Sequence, residues 1–239
     1  MNNLDIFLHF ACYSFLGWIL ETIYATIIHK KFVNRGFLHG FFCPIYGFGA
    51  VLIILCSTWV KTVVPDTLTA VIVSIVVAVI LVTTLEYITG FMLEKIFRCK
   101  WWDYSEEFAN LHGYICLKYS LLWGGLALVL LQVVHPMIAE RVLLIPLSIK
   151  TALAALLLLY FLIDTIVSVT ATMDLRNAIL NYSSLPLLKY YEKIFRYRRI
   201  FQAFPRLLIL NADIFNRDVR SILNETMDKI KTELKSKFQ

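Results

Sequence analysis

Four carboxylates stand inside stretches of sequence that are otherwise almost wholly apolar: Glu21, Glu86, Glu94 and Asp164. A single base, Lys118, enters another such stretch. Ionisable groups are costly to hold among apolar helices, so they face a bundle interior, a cavity or one another. The chemistry open to such a set is proton handling, contact with a charged substrate, or gating through ion pairs. Glu21 lies seven residues before its apolar run ends, a depth of roughly 10 Å at about 1.5 Å per helical residue. Glu86 precedes Glu94 by two turns on one run, and Asp164 falls in the inner third of its own. These groups are therefore expected in one layer, with Lys118 and Arg35 as counter-charges. A structural reading competes at each. Lys95 and Arg98 beside Glu94 suit a headgroup-level ion pair, Thr165 and Ser168 near Asp164 suit polar helix contacts, and Glu21 and Glu86 suit an internal pair.

Two histidines repeat a pattern: His39 and His112 each precede a cysteine, Cys43 and Cys116, by four residues. Both histidines are candidates to line the entrance of the polar layer. Two His and two Cys also form an acceptable zinc ligand set, although this spacing is no established zinc signature and a His-Gly at a helix start more often turns the chain. No metal or other cofactor is therefore assigned.

The elements that position these groups come from a duplication. Gly17 to Tyr46 aligns without a gap on Gly90 to Tyr119, and nine of those thirty positions are identical, Glu, His, Gly, Cys and Tyr among them. Such agreement in so apolar a chain marks a tandem repeat. Apolar residues make up 59% of the 239 residues, the mean hydropathy is +0.70, and several runs reach the roughly 20 residues a helix needs to cross a bilayer. Five spans are expected, at about Leu4 to Ile28, Phe41 to Val60, Leu68 to Phe97, Ile115 to Val134 and Val142 to Thr170. Continuous rather than alternating apolar runs exclude a transmembrane β-barrel.

The spacing predicts an all-α membrane protein. Residues 1–170 form its transmembrane domain, with repeat A at about 1–65, repeat B at about 66–135 and a fifth span at about 142–170. Residues 171–239 form a basic, helical, amphipathic tail. Each repeat crosses twice, so the copies share one orientation about an axis along the membrane normal, a geometry that places a transport site between the halves.

Lys and Arg crowd the 29–40 and 95–114 loops and the tail, while the alternate side offers little beyond Lys61, Arg141 and Lys150. The positive-inside rule then sets the N-terminus outside and the C-terminus in the cytoplasm. No basic stretch precedes the first span and its apolar run is long, so it is expected to stay as a span rather than be cleaved as a signal. Five cysteines, an odd number without an extracellular spacing framework, predict no structural disulfide.

The paired Trp101 and Trp102 suit the interface belt, and the loop that follows them suits either an anchor or a cytoplasmic dock. The tail holds 13 Lys and Arg against 7 Asp and Glu. Lys189, Lys193, Arg196, Arg198 and Arg199, interleaved with aromatics, predict a helix on the anionic inner leaflet. With the membrane so near, nucleic acid is not the expected polyanion. Val219, Leu223, Ile230 and Leu234 form the stripe of a final amphipathic helix.

No phosphate-binding loop, His-Glu-x-x-His, Gly-x-Ser-x-Gly or dinucleotide fingerprint occurs, so no catalytic residues are assigned and the chain is not expected to be an enzyme. Four ordered motifs, Tyr13 to Tyr24, Asn34 to Gly47, Trp101 to Ser105 and Gly113 to Ser120, resemble the CmpB-type ABC transporter permease family (type IV) of Gram-positive bacteria. The resemblance is dense over about residues 5–135 and weaker through the fifth span. It implies an integral subunit of the bacterial cytoplasmic membrane working with a separate P-loop ATPase, and five spans imply a homodimer. The expectation is a permease-like transport component. The alternative is a membrane scaffold or regulator that recruits a cytoplasmic partner through its tail.

Overall fold

The computed structural model describes residues 2–180, 196–204 and 207–209. Five helices long and apolar enough to cross a membrane dominate it. Helix α1 runs Asn3–His29, α2 Pro44–Val63, α3 Thr67–Phe97, α4 Leu117–Val129, α5 His135–Leu144 and α6 Leu147–Leu180; a short α7 spans Arg198–Ala203. Strand β1, Cys99–Lys100, pairs antiparallel with β2, Leu208–Ile209.

Local chemistry sets most of these boundaries. Pro44 sits at the first position of α2, where its missing N–H is unneeded. Asp66 caps α3 by accepting from the Thr69 N–H at 2.7 Å. The fourth span does not stop at Val134 as expected. It passes through a π turn, Leu130–Val134, and continues as α5 to Leu144. Pro136 cannot donate to a carbonyl one turn back, and the adjoining π turn absorbs that defect. The fifth span correspondingly starts at Leu147 rather than Val142, just after Pro146, and α6 runs ten residues past the expected end at Thr170.

Helix α2 packs between α1 and α3, and α4 packs on α3. Close approach depends on small residues. A methyl at Gly17 would collide with the Tyr46 ring, and one at Gly47 would collide with Ser14 and the Phe10 carbonyl. Large apolar side chains such as Ile27, Ile72, Leu121, Leu156 and Ile166 point outward, as lipid-facing positions do.

The 30–43 and 98–116 loops and the described tail residues gather at one end of the bundle. There Phe97, Trp101, Leu175, Ile200, Phe201 and Leu207 form one apolar core. The described part of the tail thus departs from the expected surface helix. Its apolar side chains find protein rather than lipid, because the two loops and the end of α6 already present an aromatic floor of Phe37, Trp101 and Trp102. Lys189, Lys193 and the Val219 to Leu234 stripe lie outside the described residues.

Candidate functional site

The four carboxylates of the expected layer have different partners. Glu21, on α1, receives the Tyr46 hydroxyl at 2.5 Å and pairs with Arg35 Nε at 3.1 Å. Arg35 is held in place by its loop: Asn34 accepts from Trp18 Nε1 at 2.7 Å and donates to the His39 carbonyl at 2.8 Å. Of the two counter-charges expected for the layer, Arg35 thus lies against Glu21.

Its repeat mate is built differently. Glu94 accepts from the Tyr114 hydroxyl at 2.7 Å, and burial followed by that bond pushes the Tyr114 phenol up to about 12. The repeat would have supplied Tyr119, which instead stacks on Tyr104 with ring centroids 4.7 Å apart. Lys118 does not serve the layer. It is 67% exposed and lies 3.7 Å from Glu107, because the first turn of α4 carries it out of the bundle toward the loop.

Asp164 is an anchor for the first loop. Its two oxygens accept from the backbone N–H groups of His39 and Gly40, each at 3.0 Å. Ser168, one turn on, accepts from the same His39 N–H at 2.9 Å and shares a second hydrogen bond with its ring. A methyl at Gly40 would collide with Tyr160, so glycine is what lets the loop reach α6. Burial and the nearby Arg199 hold His39 below its usual range. Arg199 donates to the carbonyls of Phe37 and Leu38 at 3.2 and 3.0 Å. Assigned by sequence to the lipid surface, it binds protein carbonyls instead; Arg196 and Arg198 are exposed.

His112 sits in the left-handed region at φ 53° and is exposed, with Tyr87 at 3.2 Å. The two His-Cys pairs thus do not converge as zinc ligands, and the described residues contain no group of three or more His, Cys, Asp or Glu able to hold a metal. The asymmetry lies in how the loops meet α6: the first is hydrogen-bonded to Asp164 and Ser168, while the second packs on its end through Cys99 and Trp101.

Glu86 is the carboxylate that opens onto a cavity. It is 5% exposed, accepting from Trp123 Nε1 at 2.9 Å and from the Tyr104 hydroxyl at 3.4 Å. None of the ion pairs among the described residues involves it. The cavity, about 180 Å3, lies between the two hairpins and is lined by Tyr13, Gly17 and Tyr46 from the first and by Glu86, Trp123 and Ala127 from the second. Beyond it, toward the opposite end of the bundle, Tyr13 and His135 share a hydrogen bond at 2.8 Å and Lys150 pairs with Asp5 at 2.6 Å. Sequence reasoning missed Trp123, Tyr104, His135 and the Asp5–Lys150 pair. Only the last left a trace, as a lone acid and a lone base in two apolar runs.

Five apolar helices with inward-facing carboxylates and an outward-facing apolar surface define a multi-pass membrane protein. Comparison with curated proteins and with solved structures returns no match. A family model does match, over residues 8–169, and the chain belongs to that family, described as "Putative ABC-transporter type IV".

Proposed function

We propose that this chain is the membrane-embedded subunit of a transporter, working as a pair of copies with a separate ATP-binding protein, and that cargo passes through the cavity between its two hairpins. The observation that carries this reading is the position of Glu86, a carboxylate with no cation partner among the described residues, on the wall of a cavity formed by both hairpins. The family description supports a transporter component. The Lys and Arg distribution supports a cytoplasmic end made of the two loops and the tail, where an ATPase would dock.

Purification from the native membrane under mild solubilisation tests it. A stoichiometric P-loop ATPase is expected, with ATP hydrolysis stimulated when the pair is reconstituted and reduced several-fold by Glu86→Gln at unchanged assembly. Purification without any ATPase would overturn the reading. The packing of Ile200, Phe201 and Leu207 onto both loops also suits the second reading, a scaffold whose tail presents a cytoplasmic platform. That reading predicts that both Glu21→Gln and Glu86→Gln leave function intact while removal of the chain beyond residue 180 abolishes it.

A further inference from the structure

The walls of the cavity specify more than a passage. Resting on the transport reading above, we propose that the cavity binds a small lipophilic amine in its protonated form, with the ammonium against Glu86 and an apolar body of about one ring lying in the cavity against Tyr13, Tyr46 and Trp123.

Charge comes first. The two groups bonded to Glu86, the indole N–H of Trp123 and the hydroxyl of Tyr104, are both neutral donors. They suit an acceptor-only carboxylate and bring no positive charge. A carboxylate so deeply buried is compensated either by a proton or by a bound cation, and a protonated amine that joins it supplies both the charge and a hydrogen-bond donor. Among the described residues, the two bases expected to serve the acidic layer are committed elsewhere, Arg35 to Glu21 and Lys118 to Glu107. A bound cation supplies what the fold withholds, and an anionic ligand is repelled.

The walls then set the body of the ligand. Trp123 is the ring type that attracts cations most strongly, and its centroid stands 5.4 Å from that of Tyr46. Much of the remaining lining is aliphatic, including Leu16, Leu20, Ile53 and Val82, which offers nothing to a sugar or a nucleotide. Volume sets the size. A dry apolar cavity of roughly 150 Å3 accommodates benzene, so about 180 Å3 holds one ring with a short amine arm.

The test uses the full-length protein in zwitterionic nanodiscs, titrated calorimetrically with benzylamine and with its neutral isostere benzyl alcohol, each corrected against empty discs. Benzylamine is expected to bind at least ten-fold more tightly than benzyl alcohol. Glu86→Gln is expected to bring the two within two-fold of each other while leaving benzyl alcohol unchanged. Gly49→Leu, which fills the cavity from α2, is expected to abolish both. Equal binding of the two probes by the native protein, no binding of either, or an amine preference that survives Glu86→Gln would overturn the proposal. The chain is measured without an ATPase, so failure here alongside a co-purifying ATPase refutes the ligand class and leaves the transport reading standing.

Discussion

Asp164→Ala gives the sharpest check on how the loop-bearing end of the bundle is held. The carboxylate accepts from the His39 and Gly40 N–H groups at 3.0 Å each. Hydrogen bonds to a charged group contribute about 1.5–3 kcal/mol net, and a buried donor left without a partner costs about 1–3 kcal/mol. Ser168 Oγ still accepts from the His39 N–H at 2.9 Å in the variant, so only the Gly40 N–H is fully orphaned. Taking about 1.5–2 kcal/mol for each lost bond gives about 3–4 kcal/mol, or roughly a 100- to 1,000-fold rise in the opening equilibrium of the loop. Hydrogen exchange on amides 36–43 reads that equilibrium directly. Protection is expected to fall by about two to three orders of magnitude there, with little change in α2 and α3. Asp164→Asn, which keeps one acceptor oxygen but turns an N–H toward a donor, is expected to lose at least half as much free energy. Protection within three-fold of the native protein in Asp164→Ala would refute the idea that this carboxylate holds the loop.

Other outcomes follow from the same contacts. Gly17→Ala places a methyl into the Tyr46 ring and is expected to lower the melting temperature in detergent, at a cost of about 1–3 kcal/mol; Gly49→Ala, whose methyl would meet Val82 at an ordinary 3.7 Å, is the near-neutral control. His39 is held below the 6.5 of a free histidine by burial and by Arg199. An undocked loop therefore takes up a proton first as pH falls, so docking is fully stable above pH 6.5 and weakens from there down through the lowered native value. Protection factors for residues 36–43 are expected to fall between pH 7.5 and 5.5, and His39→Gln should flatten that dependence. Arg199→Gln removes the guanidinium bonds to the Phe37 and Leu38 carbonyls and is expected to expose residues 196–204 to limited proteolysis, while melting of the spans stays unchanged.

Much of this molecule was legible in the residues alone. Transfer from water to hydrocarbon is a property of each segment by itself, so apolar run length located five membrane-crossing helices without knowledge of their neighbours. Composition also told that the buried acids had to face inward, and the ordered motifs pointed to the family. Arg35, named in the sequence as a counter-charge of the acidic layer as a whole, lies close to Glu21 through one loop and pairs with it. What a local reading could not supply was the rotation of one helix against another. That rotation gives Glu94 to Tyr114 instead of Tyr119, turns Lys118 out to Glu107, and leaves Glu86 with Trp123 and Tyr104 but no cation among the described residues. It also required α6, present once against two copies of the repeat, to choose which loop Asp164 would hold. Spans and orientation cues belong to single segments and are written in sequence. Partner choice depends on distances between segments, and only the packed bundle decides it.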